Sequence, residues 1–275
     1  MQSHPARDGR PLRLILLHGL ASTPREFGFL QHPLRRQGVK LEAPEVAGYS
    51  AGSLAARPRW RDWVAAAGGT VEALARASDA PFMLGGLCTG AMLALAVAGA
   101  RPLPGLRGLA LMSPLFAYDG WGLPWWYRLR GIAYATGLAG RFSMAERTPY
   151  GLKNERMRQL IRQQLAAGET SLVGPARVPL SVVRESERLS RHARALLPGL
   201  RLPTLVQHAR EDEVCSLASV QRALHAAPPS LVSLQVLEDS YHMIPADNDR
   251  HAVADRLAAC LHSLGALGAP SPAAA

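Results

Sequence analysis

The stretch Met83-Leu84-Gly85-Gly86-Leu87-Cys88-Thr89-Gly90-Ala91 decides the fold of this 275-residue chain. An apolar run typical of a buried strand ends in glycines, and an Ala/Leu-rich run typical of a buried helix follows directly. One reactive residue, Cys88, stands between Gly86 and Gly90. A residue in a sharp strand-to-helix turn needs small neighbours, because a Cβ at either glycine would collide with the flanking elements. The pattern therefore predicts a nucleophile elbow with Cys88 in the position of the nucleophile.

Strand-like and helix-like segments alternate on both sides of this elbow. Apolar runs predict strands at residues 12–17, 39–43, 80–87, 106–112, 203–208 and 232–237. Helical spacing predicts helices at residues 24–36, 59–77, 89–100, 219–227 and 249–264. This alternation is typical of an α/β fold with a doubly wound, mostly parallel sheet.

The alternation breaks where the chain becomes aromatic and basic. Amphipathic helices are predicted here at residues 153–166 and 181–197. We therefore predict an α/β core over 1–114 and 201–264, an inserted helical cap over 115–200 and a disordered tail over 265–275. The insertion contains three tryptophans, Trp121, Trp125 and Trp126. Together they could line an acyl tunnel, contact a membrane or pack within the cap.

The net charge of +10 is concentrated in the predicted cap. Residues 121–201 hold fourteen Lys/Arg and five Asp/Glu, a balance of +9, whereas the rest of the chain holds seventeen and sixteen. One interpretation is a solvated surface, and the other is attraction for an anionic carrier (coenzyme A or acyl carrier protein) or an anionic membrane surface. No Lys-Ser/Thr pair follows the elbow glycines, so no nucleotide-binding loop is predicted. Nucleic-acid binding is not expected.

The remaining composition indicates a cytoplasmic globular protein. The first residues lack the charged-then-apolar order of a signal peptide. The longest apolar run, residues 91–100, is far shorter than the roughly 20 residues of a membrane span. Three cysteines without metal-ligand spacing predict neither a disulfide framework nor a zinc site. We expect no metal and no cofactor.

Three polar residues follow predicted strands at the carboxyl edge of the sheet, where open α/β sheets hold their sites. In chain order they are Cys88, Asp212 and His242. His242 would take the thiol proton and later protonate the leaving group, and Asp212 would orient the imidazole. The tetrahedral intermediate needs two donors, for which the backbone N–H groups of Leu20 and Thr89 are the candidates.

Several residues near these positions have competing interpretations. Glu211, Glu213 and Asp239 are alternatives to Asp212 as the acid. His18 in the loop His18-Gly19-Leu20 is expected to shape the oxyanion loop by hydrogen bonding rather than to join the chemistry. A buried cysteine is often only a small apolar residue, so Cys88 is a nucleophile by context.

Four stretches carry a resemblance to a known family. They are LILLHGL at 14–20, GGLCTG at 85–90, the loop 212–214 after PTLVQH, and SYHMIPAD at 240–247. The chain resembles α/β-hydrolases of the bacterial carboxylesterase and monoacylglycerol-lipase branch, often described as serine aminopeptidase-like. The resemblance covers residues 12–112 and 203–264 well and the cap poorly. It implies an α/β-hydrolase fold and an acyl-transfer site.

Cys88 is the departure from this family, most of whose members carry serine at the elbow. A thiolate attacks acyl groups readily and forms a thioester acyl-enzyme. The leading expectation is an acyl hydrolase that acts on a carboxylic ester or acyl thioester of apolar acyl character. An acyltransferase that uses the same acyl-enzyme is the alternative. A third alternative is a non-catalytic protein that binds lipid or a partner through its basic cap.

Overall fold

The computed structural model describes residues 12–167, 171 and 174–267. Strands β1 to β8 cover Leu12–Leu17, Val39–Glu42, Phe82–Leu87, Leu106–Met112, Ser143–Ala145, Arg177–Pro179, Thr204–Ala209 and Val232–Leu237. Helices α1 to α8 cover Gly28–Arg36, Trp60–Arg76, Thr89–Ala100, Arg130–Ala135, Glu155–Ala166, Leu180–Leu196, Leu217–Leu224 and Arg250–Leu267. Short 3-10 turns connect several of them.

Six parallel strands form the main sheet in the order β2-β1-β3-β4-β7-β8. The strand that leads to the elbow, β3, lies between β1 and β4, and Gly86 is in register with Leu17 and Leu111. Both β1 and β3 are buried along their whole length. Such burial requires layers on both faces of the sheet, which is why these strands are continuous apolar runs rather than alternating ones.

Helices cover the sheet in two layers. On one face, α2, α3 and α6 pack against one another, and their apolar side chains share one buried cluster. On the other face, α1 packs against α8 and shares a second cluster with it. The α3 helix is buried on all sides through Val97, in agreement with its uniformly apolar sequence. These two layers hold β3 and α3 on either side of the elbow.

The segment predicted as a cap contains α4, α5, α6 and the antiparallel pair β5–β6. It does not stand apart from the sheet, because α6 buries Val183, Leu189 and Ala193 in the same cluster as α3. The apolar face of α6 therefore packs against the helix layer of the sheet, and α6 also contacts α4 and β6 within the insertion. At the other end of the chain, α8 continues to Leu267, past the start of the predicted disordered tail at residue 265, and residues 268–275 lie outside those described.

Two of the three tryptophans of the insertion are exposed, Trp121 by 60% and Trp125 by 77%. Trp126 is partly buried against the main core cluster. None of the three lines the cavity beside Cys88. These side chains therefore do not form an acyl tunnel at that cavity. Among the described helices, no stretch combines the length and the apolarity that crossing a bilayer would require.

The first prediction concerns the packing of the elbow. A Cβ at residue 90 would lie 2.1 Å from the carbonyl oxygen of Leu17, which belongs to rigid strand backbone. We expect Gly90→Ala to lower the free energy of unfolding by about 3 kcal/mol, the upper end of overpacking effects. Gly69→Ala is the control, because a Cβ there meets nothing within 4 Å inside α2. It should stabilise the protein by about 0.5–1 kcal/mol. Urea denaturation measures both, and equal effects would contradict the packing argument.

Candidate active site

The backbone of Cys88 adopts an unusual conformation, with φ 58° and ψ −119°, between the last residue of β3 and the first of α3. A non-glycine residue in such a region costs on the order of 1–3 kcal/mol. Neighbouring glycines make the turn feasible, since a Cβ at Gly86 would lie 2.4 Å from the carbonyl oxygen of Leu17. The Cys88 N–H donates to the carbonyl oxygen of Met112 on β4 at 3.0 Å. The elbow is thereby held by both strands that flank β3.

His242 lies in the loop after β8, and its backbone is held in place by three other segments. Its carbonyl oxygen accepts from the hydroxyl of Ser113 at 2.7 Å, and its N–H donates to the carboxyl group of Glu213 at 3.1 Å. The next N–H, of Met243, donates to the carbonyl oxygen of Gly151 at 2.8 Å. The imidazole therefore has a fixed position at the carboxyl edge of the sheet.

The two ring nitrogens of His242 have different surroundings. Nδ1 lies 2.7 Å from Oδ2 of Asp212. Nε2 is buried and makes no hydrogen bond of good geometry among the described residues, although the thiol of Cys88 is near enough to contribute to the raised pKa of the ring. His242 lines the same cavity as Cys88. A buried nitrogen without a partner at a cavity wall is available to a thiol proton or to a bound molecule.

Asp212 follows β7 and is buried. Its Oδ1 accepts hydrogen bonds from the N–H groups of Val214 and Cys215, both at 2.9 Å, which leaves Oδ2 for the imidazole of His242. Burial alone would raise the pKa of Asp212, but the neighbouring charges of His242 and His208, with these hydrogen bonds, lower it overall. Asp212 is therefore an ionised partner for the imidazole.

The pKa of His242 is held well above its ordinary value. Burial lowers this pKa, but the negative charge of Asp212 and that of a thiolate at Cys88 together outweigh burial. The imidazolium form is therefore stabilised by a carboxylate on one side and by the cysteine on the other. A raised pKa suits the imidazole of His242 for holding a proton and passing it to a leaving group.

The loop His18-Gly19-Leu20 follows β1 and is held rigidly by its side chains. Nδ1 of His18 donates to the carbonyl oxygen of Gly19 at 2.9 Å, so Nε2 accepts from the hydroxyl of Ser50 at 2.7 Å. Burial lowers the pKa of His18, which agrees with a neutral ring. Both nitrogens are occupied, so the ring of His18 connects this loop to Ser50.

Two backbone N–H groups near Cys88 have no acceptor among the described residues. Within the part of the chain that the structure describes, the N–H groups of Leu20 and Thr89 donate to no protein acceptor. Leu20 lines the cavity, and Thr89 is the first residue of α3, where backbone N–H groups point towards the helix start. Glu26 orients the loop that carries Leu20, because its carboxylate accepts the N–H of Gly19 at 2.8 Å.

A cavity of about 110 Å³ brings these groups together. Besides Cys88 and His242, three carboxyl groups line it, those of Glu26, Glu146 and Glu213. Burial is the largest cause that raises the pKa of each to about 7. The remaining lining side chains are apolar or aromatic: Leu20, Leu87, Tyr118, Met144, Tyr150, Val178, Val214 and Met243. The described residues contain no cluster of His, Cys, Asp and Glu that would hold a metal ion.

Of the competing acidic residues, Glu213 lines the cavity and accepts the backbone N–H of His242, whereas the others lie elsewhere. Glu211 pairs with Lys153 at 2.8 Å on the surface, and Asp239 lies 3.6 Å from the same ammonium group. Asp247 accepts the N–H groups of Lys153 and Tyr241 and so joins two loops. Only Asp212 of these residues contacts the imidazole of His242.

Sequence reasoning missed Glu26 and Glu146 and treated Glu213 only as a rival of Asp212. Glu213 follows Asp212 directly, so its proximity was readable from the chain. Glu26 lies seven residues after Gly19, and its role depends on the turn that brings it back to that N–H. Glu146 comes from β5 and the loop after it, and no sequence signal connects it with the sheet edge.

Solved structures of similar architecture show which fold the chain has. A monoglyceride lipase from Saccharomyces cerevisiae matches with a TM-score of 0.74 and 13% identity, over 93% of this chain and 87% of the other. A monoacylglycerol lipase from Paleococcus ferrophilus matches at 0.71 and 15%, over 92% and 94%. A thioesterase domain of the curacin biosynthetic pathway matches at 0.59 and 16%, over 92% and 91%. The fold is the α/β-hydrolase fold.

The family follows from the sequence itself. The family model described as serine aminopeptidase, S33, matches residues 11–249, and the chain belongs to this hydrolase family. No curated protein matches the sequence. The expected α/β-hydrolase fold is confirmed by these comparisons.

The second prediction tests the buried carboxyl that holds the oxyanion loop. The pKa of Glu26 is raised to about 7, so the folded protein binds a proton between about pH 4.5 and 7 that the unfolded chain has lost. Stability from this group therefore falls as the pH rises through that window. Glu26→Gln keeps an acceptor for Gly19 and removes the ionisation. We expect its stability relative to wild type to increase by about 2 kcal/mol between pH 5 and pH 8.

Urea denaturation at pH 5, 6, 7 and 8 measures this difference. Glu238→Gln is the control, because Glu238 is an exposed carboxylate whose pKa is lowered by its hydrogen bond with Arg210. Its effect should stay constant across this range. A Glu26→Gln effect that is equally independent of pH would contradict a raised pKa.

Proposed function

We propose that the protein is an acyl hydrolase that cleaves a carboxylic ester or an acyl thioester through a covalent acyl-enzyme on Cys88. The observation that carries this proposal is the shared cavity. It joins a cysteine in a strained elbow with a buried imidazole nitrogen that lacks a partner, and the other nitrogen of that imidazole bonds to a buried aspartate. Such a set of groups suits nucleophilic catalysis of acyl transfer.

The first half of the reaction forms the acyl-enzyme. Nε2 of His242 takes the thiol proton, and the thiolate of Cys88 attacks the acyl carbon. The C=O double bond opens and its oxygen becomes an oxyanion, which the N–H groups of Leu20 and Thr89 stabilise. Collapse of this intermediate breaks the bond to the leaving group, which takes the proton from the imidazolium. An alcohol or a thiol leaves, and a thioester remains on Cys88.

The second half returns the enzyme to its starting state. A water molecule gives a proton to Nε2 of His242 and attacks the thioester carbon. The new tetrahedral intermediate collapses with loss of the Cys88 thiolate, which regains a proton from His242. A carboxylic acid is released, and no net charge or atom remains on the enzyme. Asp212 holds the imidazole in one tautomer and stabilises its charged form in both halves.

The comparisons support the substrate class. The family is one of hydrolases, two of the similar structures are monoacylglycerol lipases, which act on esters, and a third is a thioesterase domain. A thioester substrate would suit Cys88, because attack exchanges one thioester for another of similar energy. An ester substrate requires a protonated leaving alcohol, for which the raised pKa of His242 supports a general acid.

The third prediction removes the nucleophile. Cys88→Ala should lower kcat/KM for p-nitrophenyl esters at least about 10³-fold, since loss of a nucleophile in a triad costs that much or more. Cys260→Ala is the matched control, because Cys260 is also a free, partly buried thiol but lies on α8 outside the cavity. It should retain wild-type activity. Full activity of Cys88→Ala would exclude the proposed acyl-enzyme.

The same assay separates hydrolysis from acyl transfer. Assays are run in buffer alone and with an added alcohol or amine. Release of p-nitrophenolate with equimolar free carboxylic acid supports hydrolysis. An enzyme that stops after one turnover in water and resumes with the acceptor would instead be an acyltransferase. A well-folded protein without turnover or adduct under either condition would be the non-catalytic alternative.

The fourth prediction concerns the size of the acyl group. Typical pockets for small-molecule ligands span about 300–1,000 Å³. The cavity here is about 110 Å³, and Met144 of β5 is one of its lining residues. We expect kcat/KM to fall at least about tenfold from butyrate to dodecanoate esters, because a long chain has to displace side chains. Met144→Ala should shift the optimum towards longer chains, whereas Met157→Ala, which does not line the cavity, should not. A wild-type preference for long chains would contradict this volume argument.

A further inference from the structure

A second and larger concave site lies away from Cys88, between the start of α2 and α6. This cleft has a volume of about 660 Å³. Its lining contains four arginines, two carboxylates and one aromatic ring: Arg59, Arg61, Arg188, Arg191, Asp62, Glu185 and Trp60. Its formal charge balance is therefore +2, four positive and two negative. We refer to it as the arginine cleft.

Two helices supply the arginines in a regular way. Arg59 immediately precedes α2, and Arg61 is in its first turn. Arg188 and Arg191 are three residues apart on α6, so they share one face of that helix. Packing of α2 against α6 brings the two pairs together. The first turn of the 17-residue helix α2 adds the positive end of its dipole to the same place.

The pairing of charges within the cleft is incomplete. Glu185 is buried, and its carboxylate accepts the N–H of Trp60 at 3.1 Å and a hydrogen bond from Arg188. It therefore joins α2 to α6 and neutralises one arginine. Within the described residues, Arg59, Arg61 and Arg191 form no ion pair with a carboxylate. These three guanidinium groups therefore have no carboxylate partner in the described part of the chain, and Arg61 is held over the ring of Trp60 at 4.5 Å.

The size and charge of the cleft define its ligand. Guanidinium groups bind phosphate oxygens through paired, charge-assisted hydrogen bonds. A volume of about 660 Å³ exceeds what one inorganic anion fills and matches pockets for small organic molecules. We propose that the arginine cleft binds a soluble small molecule that carries two or more phosphate groups and is of nucleotide size. This proposal does not depend on the chemistry at Cys88.

The arginine cleft adjoins the active-site cavity through α6. Tyr118 lines that cavity, and its hydroxyl lies 2.9 Å from the hydroxyl of Ser186, the neighbour of Glu185. Of two adjacent residues of α6, one thus lines the cleft and the other contacts a side chain that lines the cavity. The arginine cleft is therefore a candidate binding site for the anionic carrier that the charge of the sequence led us to expect. Coenzyme A, which carries a diphosphate and a further phosphate, is a suitable probe.

Isothermal titration calorimetry with inorganic pyrophosphate and with coenzyme A tests the proposal. We expect saturable binding by wild type that weakens as the salt concentration rises. Arg59→Gln/Arg191→Gln should weaken binding at least about tenfold, because each change removes a charge-assisted hydrogen bond. Arg35→Gln/Arg36→Gln is the control, since it removes the same charge from α1 on the opposite layer of the sheet. It should bind as wild type does.

Several results would overturn the proposal. One is the absence of saturable binding by wild type. Another is an equal loss of affinity for pyrophosphate and coenzyme A in the two double variants. A third is binding only to vesicles that contain phosphatidic acid and not to the soluble phosphates, because it would indicate a lipid headgroup as the source of the phosphate. Thermal unfolding checks that the variants fold, which is expected because Arg59 and Arg191 are exposed. Hydrolysis of a neutral p-nitrophenyl ester is measured in parallel, so that failure of the cleft and failure of the Cys88 chemistry remain distinguishable.

Discussion

The close approach of α3 to the end of β1 is the constraint on which the rest of the site depends. Gly86 and Gly90 leave no room for a side chain against the carbonyl oxygens of Leu17 and His18. This contact lets the chain turn within one residue and holds Cys88 at a positive φ. A less tightly packed turn would allow Cys88 to relax into an ordinary helical conformation, and its thiol would no longer face His242. The strain at one residue is compensated by the packing of the two central strands.

Electrostatics is the second determinant of the site. The net charge of the protein is +10, yet three glutamates and His242 line one small cavity, and Asp212 lies beside it, bonded to His242. Asp212 and a thiolate at Cys88 stabilise the imidazolium form of His242, while burial raises the pKa of Glu26, Glu146 and Glu213 to about 7. The positive charge is instead on the outside, and part of it forms the arginine cleft. The cavity beside Cys88 is thus lined by carboxyl groups and the arginine cleft by guanidinium groups, although both lie next to α6.

Sequence reasoning located the sheet and the three central residues, because those features are local. The bounds of α3 and β4 followed from uninterrupted apolar runs, and Cys88, Asp212 and His242 each follow a strand in chain order. Features that depend on contacts between distant segments could not be read in this way. The hydrogen bond between Trp60 and Glu185 joins residues 125 positions apart, and half of the cleft arginines come from α2 rather than from the basic insertion. Likewise, the amphipathic pattern of α6 predicted a helix but not whether its apolar face met a cap or the sheet layer.

Acid quench during turnover, followed by peptide mass mapping, tests the central claim most directly. The protein is mixed with excess p-nitrophenyl butyrate, the initial burst of p-nitrophenolate is recorded, and the reaction is stopped in acid, which preserves thioesters. We expect one butyryl group on the peptide that contains Cys88, in an amount equal to the burst. A butyryl group on another side chain, or an unmodified Cys88 in a protein that shows the burst, would contradict it.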